Sequence, residues 1–287
     1  ATTLDLSYEH ADHERFIDRG IPTYNGEPEE AFEKVTFGDP KINTTTLEAD
    51  IFRGSLNHDF SDTSKGVFSI TSSEFEKMYR NLYASGYDGT LVTMDGYEDP
   101  TERENLIISA NLINELTIGS TKHTLLIGTE MVDTDNSNLR YDTYWSTTQS
   151  DKESFQVTRP MDFSVNSAGV ATSVDFTTKL KSKTESEIEV TSFYIQDQID
   201  VNDNLKLMLG ARVDTFDITV KDIKSGTSQS REDDEVSPRA GIIFKPAENI
   251  SWYVSYSESF LPRSGEQFKK LTADAARLDP DVFENTE

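Results

Sequence analysis

The stretch from Val190 to Phe260 constrains the fold of this chain most strongly, because polar and apolar residues alternate along it. Within it, the odd-numbered positions from 205 to 213 hold only apolar residues: Leu205, Leu207, Leu209, Ala211 and Val213. The even-numbered positions from 206 to 214 hold Lys206, Met208, Gly210, Arg212 and Asp214. A period of two places the two sets on opposite faces of a β-sheet, so one face needs a dry environment and the other needs water. Long strands with one wet face, joined by tight turns, are what a membrane-spanning β-barrel requires.

Composition excludes several classes of protein. The 287 residues include 52 acidic and 27 basic side chains, for a formal net charge of -25. This balance argues against nucleic-acid binding, because phosphates need clusters of Lys and Arg. The mean hydropathy of -0.57 and the lack of a long apolar run exclude a helical membrane protein. The chain has no cysteine, which excludes disulfides and thiolate chemistry.

Nine strand candidates follow from the alternation. They span residues 4–14, 45–60, 66–79, 104–118, 123–132, 187–200, 204–220, 236–245 and 250–260. The composition of Ser73–Tyr83 also suits a helix, which is kept as the alternative there. The tail from Leu261 to Glu287 is predicted to be a loop.

The predicted connections alternate between short and long. Tight turns are expected near 61–65, 119–122, 201–204 and 246–249, and long loops over 15–44, 80–103, 133–186 and 221–235. Short turns at one end and long loops at the other are typical of outer-membrane barrels, whereas a β-sandwich has short connections at both ends.

Three motifs resemble the barrel of TonB-dependent siderophore receptors. The segment SFYIQDQIDVNDNLKLMLGARVD (192–214) resembles the family's aromatic-x-Gln-Asp strand, short turn and strand ending in Gly-x-Arg-x-Asp. The segments SPRAGIIFKPAENISWYVSYSESFLPRSG (237–265) and KHTLLIGTE (122–130) resemble a following hairpin and an earlier strand. In LDPDVFENTE (278–287) the chain departs from the family's Leu-x-Pro-Glu, with Asp281 where Glu is expected.

The resemblance implies an all-β fold: an antiparallel transmembrane β-barrel, present as a partial barrel of about nine strands. Residues 1–287 are then expected to be one partial barrel domain with short periplasmic turns and long extracellular loops. A complete barrel of this class has ~22 strands. The family's plug domain and last strands are therefore expected to lie outside this chain.

The resemblance also implies a ligand, a ferric siderophore, held by aromatic and Arg side chains on outer loops and strand ends. The candidates are Tyr87, Tyr97, Arg140, Tyr141, Tyr144, Trp145 and Arg263. Tyr, Trp and Arg suit the planar or anionic surfaces of siderophore complexes. The competing interpretation is that these residues form a membrane-interface girdle or are ordinary loop residues.

Neither a metal site nor an enzyme site is predicted. His10 and His13 lie three residues apart and so point to opposite faces of a strand, which makes solvated side chains the expected interpretation. Asp133–Ser137 starts like a calcium loop but lacks the Gly and the acid that such a loop needs at its sixth and twelfth positions. No nucleophile elbow is present.

The functional expectation is an outer-membrane receptor of Gram-negative bacteria that imports ferric siderophores and is energised through TonB. The siderophore is the transported ligand, and no cofactor is expected. Other expected partners are the TonB complex, through the plug, and outer-membrane lipid with lipopolysaccharide. A passive porin-like channel and a soluble all-β binding module are the alternatives.

Overall fold

The computed structural model describes residues 1–263 and 269–287, and they form an almost entirely β structure. Its strands are β1 Thr2–Phe16, β2 Thr23–Tyr24, β3 Glu27–Pro28, β4 Thr44–Ser61, β5 Ser64–Tyr87, β6 Leu91–Ile118, β7 Thr121–Trp145, β8 Glu153–Gln156, β9 Val174–Asn202, β10 Leu205–Asp222, β11 Thr227–Ala247, β12 Ile250–Leu261 and β13 Asp281–Thr286. Glu30–Phe32 and Ala275–Arg277 form single 3₁₀ turns. Among the described residues, no helix has the length and apolar character to cross a membrane.

One antiparallel sheet contains eleven of these strands. Its order is β1-β4-β5-β6-β7-β9-β10-β11-β12-β13, with β8 paired to β6 and β2–β3 forming a separate small hairpin. Neighbours in this order are also neighbours along the chain, apart from the small strands that are skipped, as in a meander. The sheet is open, with β1 and β13 as its edges in the part of the chain that the structure describes. The predicted antiparallel all-β architecture is confirmed, as an open sheet of eleven strands where about nine were predicted.

All four predicted tight turns join strands at one end of the sheet. They connect β4 to β5, β6 to β7, β9 to β10 and β11 to β12. Two of the long loops predicted for the other end are wrong. Residues 80–103 lie mostly in β5 and β6, leaving a connection of 88–90, and residues 221–235 lie mostly in β10 and β11, leaving 223–226.

The same error affects three other segments. The connector predicted over 133–186 is shorter than expected, because β7 extends into its start and β9 into its end. The segment Ser73–Tyr83, for which a helix was the alternative, lies inside β5. The tail from Leu261 to Glu287, predicted to be a loop, contains β13. Just beyond the belt, residues 98–104 of β6 and 227–235 of β11 carry no large apolar side chain on either face, so the apolar alternation disappears while the backbone ladder continues. Strand pairing, which sequence composition does not reveal, decides the structure there.

A continuous apolar band crosses one face of the sheet. The Cα register places Ala211 beside Ile195, Ile195 beside Ile127, and Ile127 beside Leu112. Large apolar side chains exposed on this band include Leu4, Leu6, Phe52, Leu56, Phe68, Leu106, Leu112, Ile127, Met131, Phe193, Ile195, Leu209, Val213, Val236, Ile242, Trp252 and Val254. We call this band the apolar belt, its side of the sheet the belt face, and the other side the opposite face. Leu209 is 52% exposed, so it does not lie between two stacked sheets.

Charged groups of the same strands pair on the opposite face. The Arg212 guanidinium donates to Glu130 Oε1 at 2.8 Å, to Asp214 Oδ1 at 2.7 Å and to Ser192 Oγ at 2.6 Å. This network joins β7, β9 and β10, and all four of its residues lie in the sequence segments 122–130 and 192–214. Asp197 differs, because it lies on the belt face and accepts a 2.7 Å hydrogen bond from His123 Nδ1.

Gly128 is required by a ring that crosses its backbone. A Cβ at this position would lie 2.2 Å from Cε2 of Tyr194, whose hydroxyl donates to Asn111 Oδ1 at 2.7 Å. Gly128→Ala is therefore expected to displace Tyr194 and to cost about 1–3 kcal/mol of stability through overpacking. Denaturant titration in detergent measures the loss. Gly128→Ala combined with Tyr194→Ala should destabilise no more than Tyr194→Ala alone, and an additive loss would contradict the explanation.

Two buried clusters lie beyond the apolar belt, towards the end of the sheet with the longer connections. The first packs Trp145 and Phe155 with residues of the 17–43 loop, including Val35 and Phe37. The second lies on the opposite face, where Leu271 from the β12–β13 connection covers Ile188, Phe216, Ile218 and Val220. The connections are thus packed against the projecting strands.

Candidate functional site

Three tyrosines converge on the opposite face of β5 and β6, beyond the apolar belt. Tyr79 and Tyr83 lie four residues apart on β5 and therefore share a face, and Tyr97 on β6 is in register with Asn81 between them. The Tyr97 ring stacks on Tyr79 at 5.8 Å between centroids and meets Tyr83 edge-on at 6.3 Å. Tyr97 is nine residues from Leu106 at the belt, which places the group ~30 Å further along the strand.

Arg140 of β7 lies over this aromatic group. Its guanidinium carbon is 3.7 Å from the centroid of the Tyr97 ring, a close cation–π contact. Nη1 donates to Asp99 Oδ2 at 3.2 Å, and Nε lies 3.8 Å from Asp142 Oδ1. The two carboxylates fix the plane of the guanidinium without covering its outer edge, since the Arg140 side chain is 39% exposed.

Arg19 approaches the same tyrosines from the 17–43 loop. Its guanidinium carbon lies 4.2 Å from the centroid of Tyr83 and 5.7 Å from that of Tyr97. Nη1 also reaches the Tyr97 hydroxyl and Asn81 Oδ1, each at 3.5 Å. We call Arg19, Tyr79, Tyr83, Tyr97 and Arg140 the Tyr–Arg cluster. It presents two cations and three aromatic rings on one surface.

Partial burial shapes the acid–base properties of the groups around the cluster. Burial raises the pKa of Asp95 and of Asp99, although Lys152 and Arg140 respectively act against the increase. Burial likewise raises the pKa of the Tyr79 and Tyr83 hydroxyls, so both phenols stay protonated at neutral pH. The surface therefore offers neutral hydroxyl donors beside permanent guanidinium charges.

The structure brings two of the seven predicted ligand residues together, Tyr97 and Arg140, and places the others elsewhere. Tyr87 packs edge-on against Tyr24 at 5.7 Å in the loop core. Trp145 is fully buried against Phe155.

The remaining three predicted residues also lie outside the cluster. Tyr141 and Tyr144 are half-buried on β7, and the period of two turns Tyr141 to the belt face. Arg263 binds the Asp279 carbonyl oxygen at 2.7 Å and the Asp281 carboxylate at 2.6 Å.

Sequence reasoning missed Arg19, Tyr79 and Tyr83 as site residues. The spacing of Tyr79 and Tyr83 was a usable signal, because residues four apart on a strand share a face. The prediction of a loop over residues 80–103 placed Tyr83 outside the strand, so this spacing was not used. Nothing in the sequence identifies Arg19, since it reaches the cluster from a distant loop.

Metal-ligating side chains lie away from the Tyr–Arg cluster. In the described residues, one group could supply three ligands to an ion, His10 with Glu48 and Asp50 on the belt face. His10 meets these acids across the β1–β4 pairing, which its spacing to His13 cannot show. Asp133–Ser137 is extended strand within β7 and not the turn of a calcium loop. The Tyr–Arg cluster itself can bind planar, anionic or acceptor-rich molecules by stacking, cation–π contacts and hydrogen bonds.

Comparisons with known proteins agree on one architecture. Residues 1–285 match the family model described as TonB dependent receptor-like, beta-barrel. The ferrioxamine B receptor of Salmonella typhimurium is 24% identical over 284 residues, which cover 92% of this chain and 36% of that protein. The crystal structure of the siderophore receptor PiuA from Acinetobacter baumannii superposes with a TM-score of 0.84 at 21% identity, over 99% of this chain and 44% of that one. The ferric-catecholate import receptor Fiu from E. coli K12, in its closed form, superposes with a TM-score of 0.79 at 15% identity, over 100% of this chain and 46% of that one. The chain thus spans about a third to a half of the length of these proteins.

Proposed function

Because the chain belongs to the TonB-dependent receptor β-barrel family, we propose that it forms part of the wall of an outer-membrane receptor that binds ferric siderophores and imports them. TonB-dependent receptors are Gram-negative outer-membrane proteins and are not enzymes. In this proposal residues 1–287 supply barrel wall and outer loops. The remaining strands and the plug come from elsewhere in the protein.

The observation that carries the proposal is the position of the Tyr–Arg cluster. It lies on the face opposite to the apolar belt and beyond the belt's end, on the side away from the tight turns. If the belt faces lipid, the cluster faces the aqueous interior of the barrel near its outer mouth. A ligand arriving from outside the cell then meets it before reaching the membrane level.

The chemistry of the cluster suits a ferric siderophore. Iron-binding hydroxamate or catecholate groups make a compact complex whose periphery carries oxygen acceptors and flat faces. Arg19 and Arg140 offer guanidinium donors that are already held in place by contact with the Tyr83 and Tyr97 ring faces. Since part of the Arg140 edge is exposed, ligand binding needs little reorganisation there. The site binds and orients its ligand and performs no covalent chemistry.

Import then requires energy coupling through TonB and a plug that closes the barrel, both proposed as partners. The relatives named above are described as receptors for ferrioxamine B and for ferric catecholates. Hydroxamate and catecholate complexes are therefore the first ligands to test.

The test uses the full-length protein expressed in a Gram-negative strain that lacks its own siderophore receptors. Uptake of radiolabelled iron is measured with ferrioxamine B, ferrichrome and a ferric catecholate, with and without a functional TonB complex. We expect saturable uptake of at least one complex, lost when TonB is absent. Uptake that neither saturates nor depends on TonB would instead indicate a passive channel, and no uptake of any complex would contradict the siderophore assignment.

A further inference from the structure

The side chain of Asn43 joins three segments at the end of the sheet that carries the longer connections. Asn43 is fully buried and directly precedes β4, which begins at Thr44. Its Nδ2 donates to the carbonyl oxygen of Ile17 at 3.0 Å and to that of Leu82 at 2.8 Å. Its Oδ1 accepts from the backbone N–H groups of Leu82 and Asp39, each at 3.0 Å. A primary amide has two donors and two acceptor positions, so all four are used.

The amide takes the place of a backbone partner that β4 cannot supply at this level. Thr44, the first residue of β4, is in register with Arg80 of β5, so Leu82 lies two residues beyond the last pair of this ladder. Leu82 is fully buried, and its N–H and C=O groups therefore need partners inside the protein. The planar amide of Asn43 gives them an acceptor and a donor together, as a residue of a neighbouring strand would.

Asn43 also holds the two ends of the 17–43 loop together. The backbone N–H of Ile17 donates to the Asn43 carbonyl oxygen at 3.1 Å, while the Ile17 carbonyl oxygen accepts from the Asn43 side chain. Gly38 leaves room for this arrangement, because a Cβ there would lie 2.6 Å from Asn43 Nδ2 and 3.0 Å from the Ile17 oxygen. The start and the end of the loop thus meet at Leu82 of β5.

The position of Arg19 depends on this anchor. Arg19 follows Ile17 by two residues, and Leu82 directly precedes Tyr83, whose ring centroid lies 4.2 Å from the guanidinium carbon. The contacts of the guanidinium itself are weak. Its hydrogen bonds are 3.5 Å long, and in the part of the chain that the structure describes no carboxylate lies within ion-pairing distance of it. The place of the guanidinium therefore follows from where the backbone at residues 17–19 is held.

We propose that Asn43 is a positioning residue for ligand binding, which acts through Arg19 and does not touch the ligand itself. The inference rests on the proposed function of the Tyr–Arg cluster. By holding Ile17 against Leu82, Asn43 keeps the Arg19 guanidinium over the Tyr83 ring before a ligand arrives, so binding does not include the entropic cost of ordering this side chain. Without the anchor, one of the two cations of the cluster is no longer held in place.

The test replaces Asn43 by aspartate in the full-length protein. Asn43→Asp keeps the size and the acceptor but places a carboxylate oxygen against the carbonyl oxygens of Ile17 and Leu82. Affinity is measured by titration with ferrioxamine B, ferrichrome and a ferric catecholate. We expect binding of the preferred complex to weaken about tenfold, as for the loss of a hydrogen bond from a charged donor. Gly38→Ala should reproduce this loss, because its Cβ displaces the same amide.

A second arm asks whether the effect passes through Arg19. In an Arg19→Gln background, Asn43→Asp should change affinity by less than about twofold, because two changes that remove the same contact are not additive. A purely structural role would lower affinity equally in both backgrounds.

A third arm needs no ligand and measures the rate of tryptic cleavage after Arg19. Trypsin can cut there only when the segment leaves the tyrosines, so the rate reports how often it detaches. Asn43→Asp and Gly38→Ala should each raise this rate about tenfold, with the cleaved bond identified by mass spectrometry. If none of the three complexes binds to the parent protein, the proposed function fails, and the cleavage rate still decides whether Asn43 holds Arg19.

Thr45→Val is the matched control. Thr45 lies two residues from Asn43, is also buried, and donates from its hydroxyl to the Met78 carbonyl oxygen of β5 at 3.0 Å, a bond that does not involve the 17–43 loop. This variant should lower the unfolding temperature and leave affinity and cleavage rate within about twofold of the parent protein. Unchanged affinity and cleavage in Asn43→Asp and Gly38→Ala would overturn the proposal. An undiminished loss of affinity in the Arg19→Gln background would also overturn it, as would equal effects of Thr45→Val.

Discussion

Replacing Tyr97 by alanine is expected to weaken binding of the ferric siderophore by about 100-fold, roughly 2.7 kcal/mol. Tyr97 is the centre of the Tyr–Arg cluster, because it contacts Tyr79, Tyr83, Arg19 and Arg140. Its loss removes the ring that supports both guanidinium groups, so the donors offered to the ligand are no longer held in place. A partly buried tyrosine flanked by two arginines is typical of the residues that contribute most of the binding free energy at interfaces.

Two variants separate this effect from general damage. Tyr97→Phe keeps the ring and loses one hydroxyl contact, the 3.5 Å approach of Arg19, so affinity should stay near that of the parent protein. Tyr141→Ala removes a tyrosine next to Arg140 in sequence but turned to the other face, and it should change affinity by less than about threefold. Titration of the purified full-length protein with the complex that it imports measures all three. Equal losses for Tyr97→Ala and Tyr141→Ala would contradict the location of the site.

An arginine placed in the apolar belt is expected to cost about 2–4 kcal/mol of folding stability in a bilayer, a cost typical of a lipid-facing charge at the midplane. Leu209 is a suitable position, because it lies within the belt run of β10 and is 52% exposed. Asp197 lies in register with Leu209 on the belt face, so this variant and its control are made in an Asp197→Asn background, in which Leu209→Arg puts a guanidinium into hydrocarbon with no carboxylate beside it. The stability is measured by urea titration of the full-length protein folded into phosphatidylcholine vesicles.

The matched control is Met208→Arg, one residue away on the opposite face. There the long side chain can reach water and the charged groups already present, as Lys206 does when it binds Asp200 at 2.7 Å. We expect Met208→Arg to cost less than about 1 kcal/mol, as for a substitution in the interior of a barrel. Equal destabilisation by the two variants would show that the two faces of β10 lie in the same environment, which would contradict the prediction.

The sequence predicted the fold where one face of a strand is apolar and failed where neither is. At Leu205–Val213 the period of two is unbroken, at Leu106–Ile118 only Asn114 interrupts it, and the strands and their tight turns are found as predicted. Just beyond the belt, residues 98–104 of β6 and 227–235 of β11 carry no large apolar side chain on either face, and the same backbone pairing leaves no hydrophobic signal there. Acidic or tyrosine-rich composition there indicated loops, although the ladder of hydrogen bonds continues.

The site was only partly predictable for a related reason. Tyr97 and Arg140 were among the predicted residues because they carry suitable chemistry, but their contact depends on the register of β6 with β7. Arg19 reaches the cluster across more than sixty residues of chain from Tyr83, and no local pattern encodes that approach.

The most direct test of the account measures which face of β10 meets lipid. Residues 1–287 contain no cysteine, so single cysteines can be placed in turn at positions 205 to 214 of the full-length protein in vesicles once any cysteine outside these residues has been replaced. A fluorophore attached at Leu207, Leu209 and Ala211 should be quenched by lipid-borne quenchers, whereas cysteines at Met208, Gly210 and Arg212 should react with a charged, water-soluble thiol reagent. Quenching that alternates with a period of two is the predicted result. Accessibility to water at every position, or protection from both phases at 207 and 209, would contradict a lipid-facing belt and the receptor wall built on it.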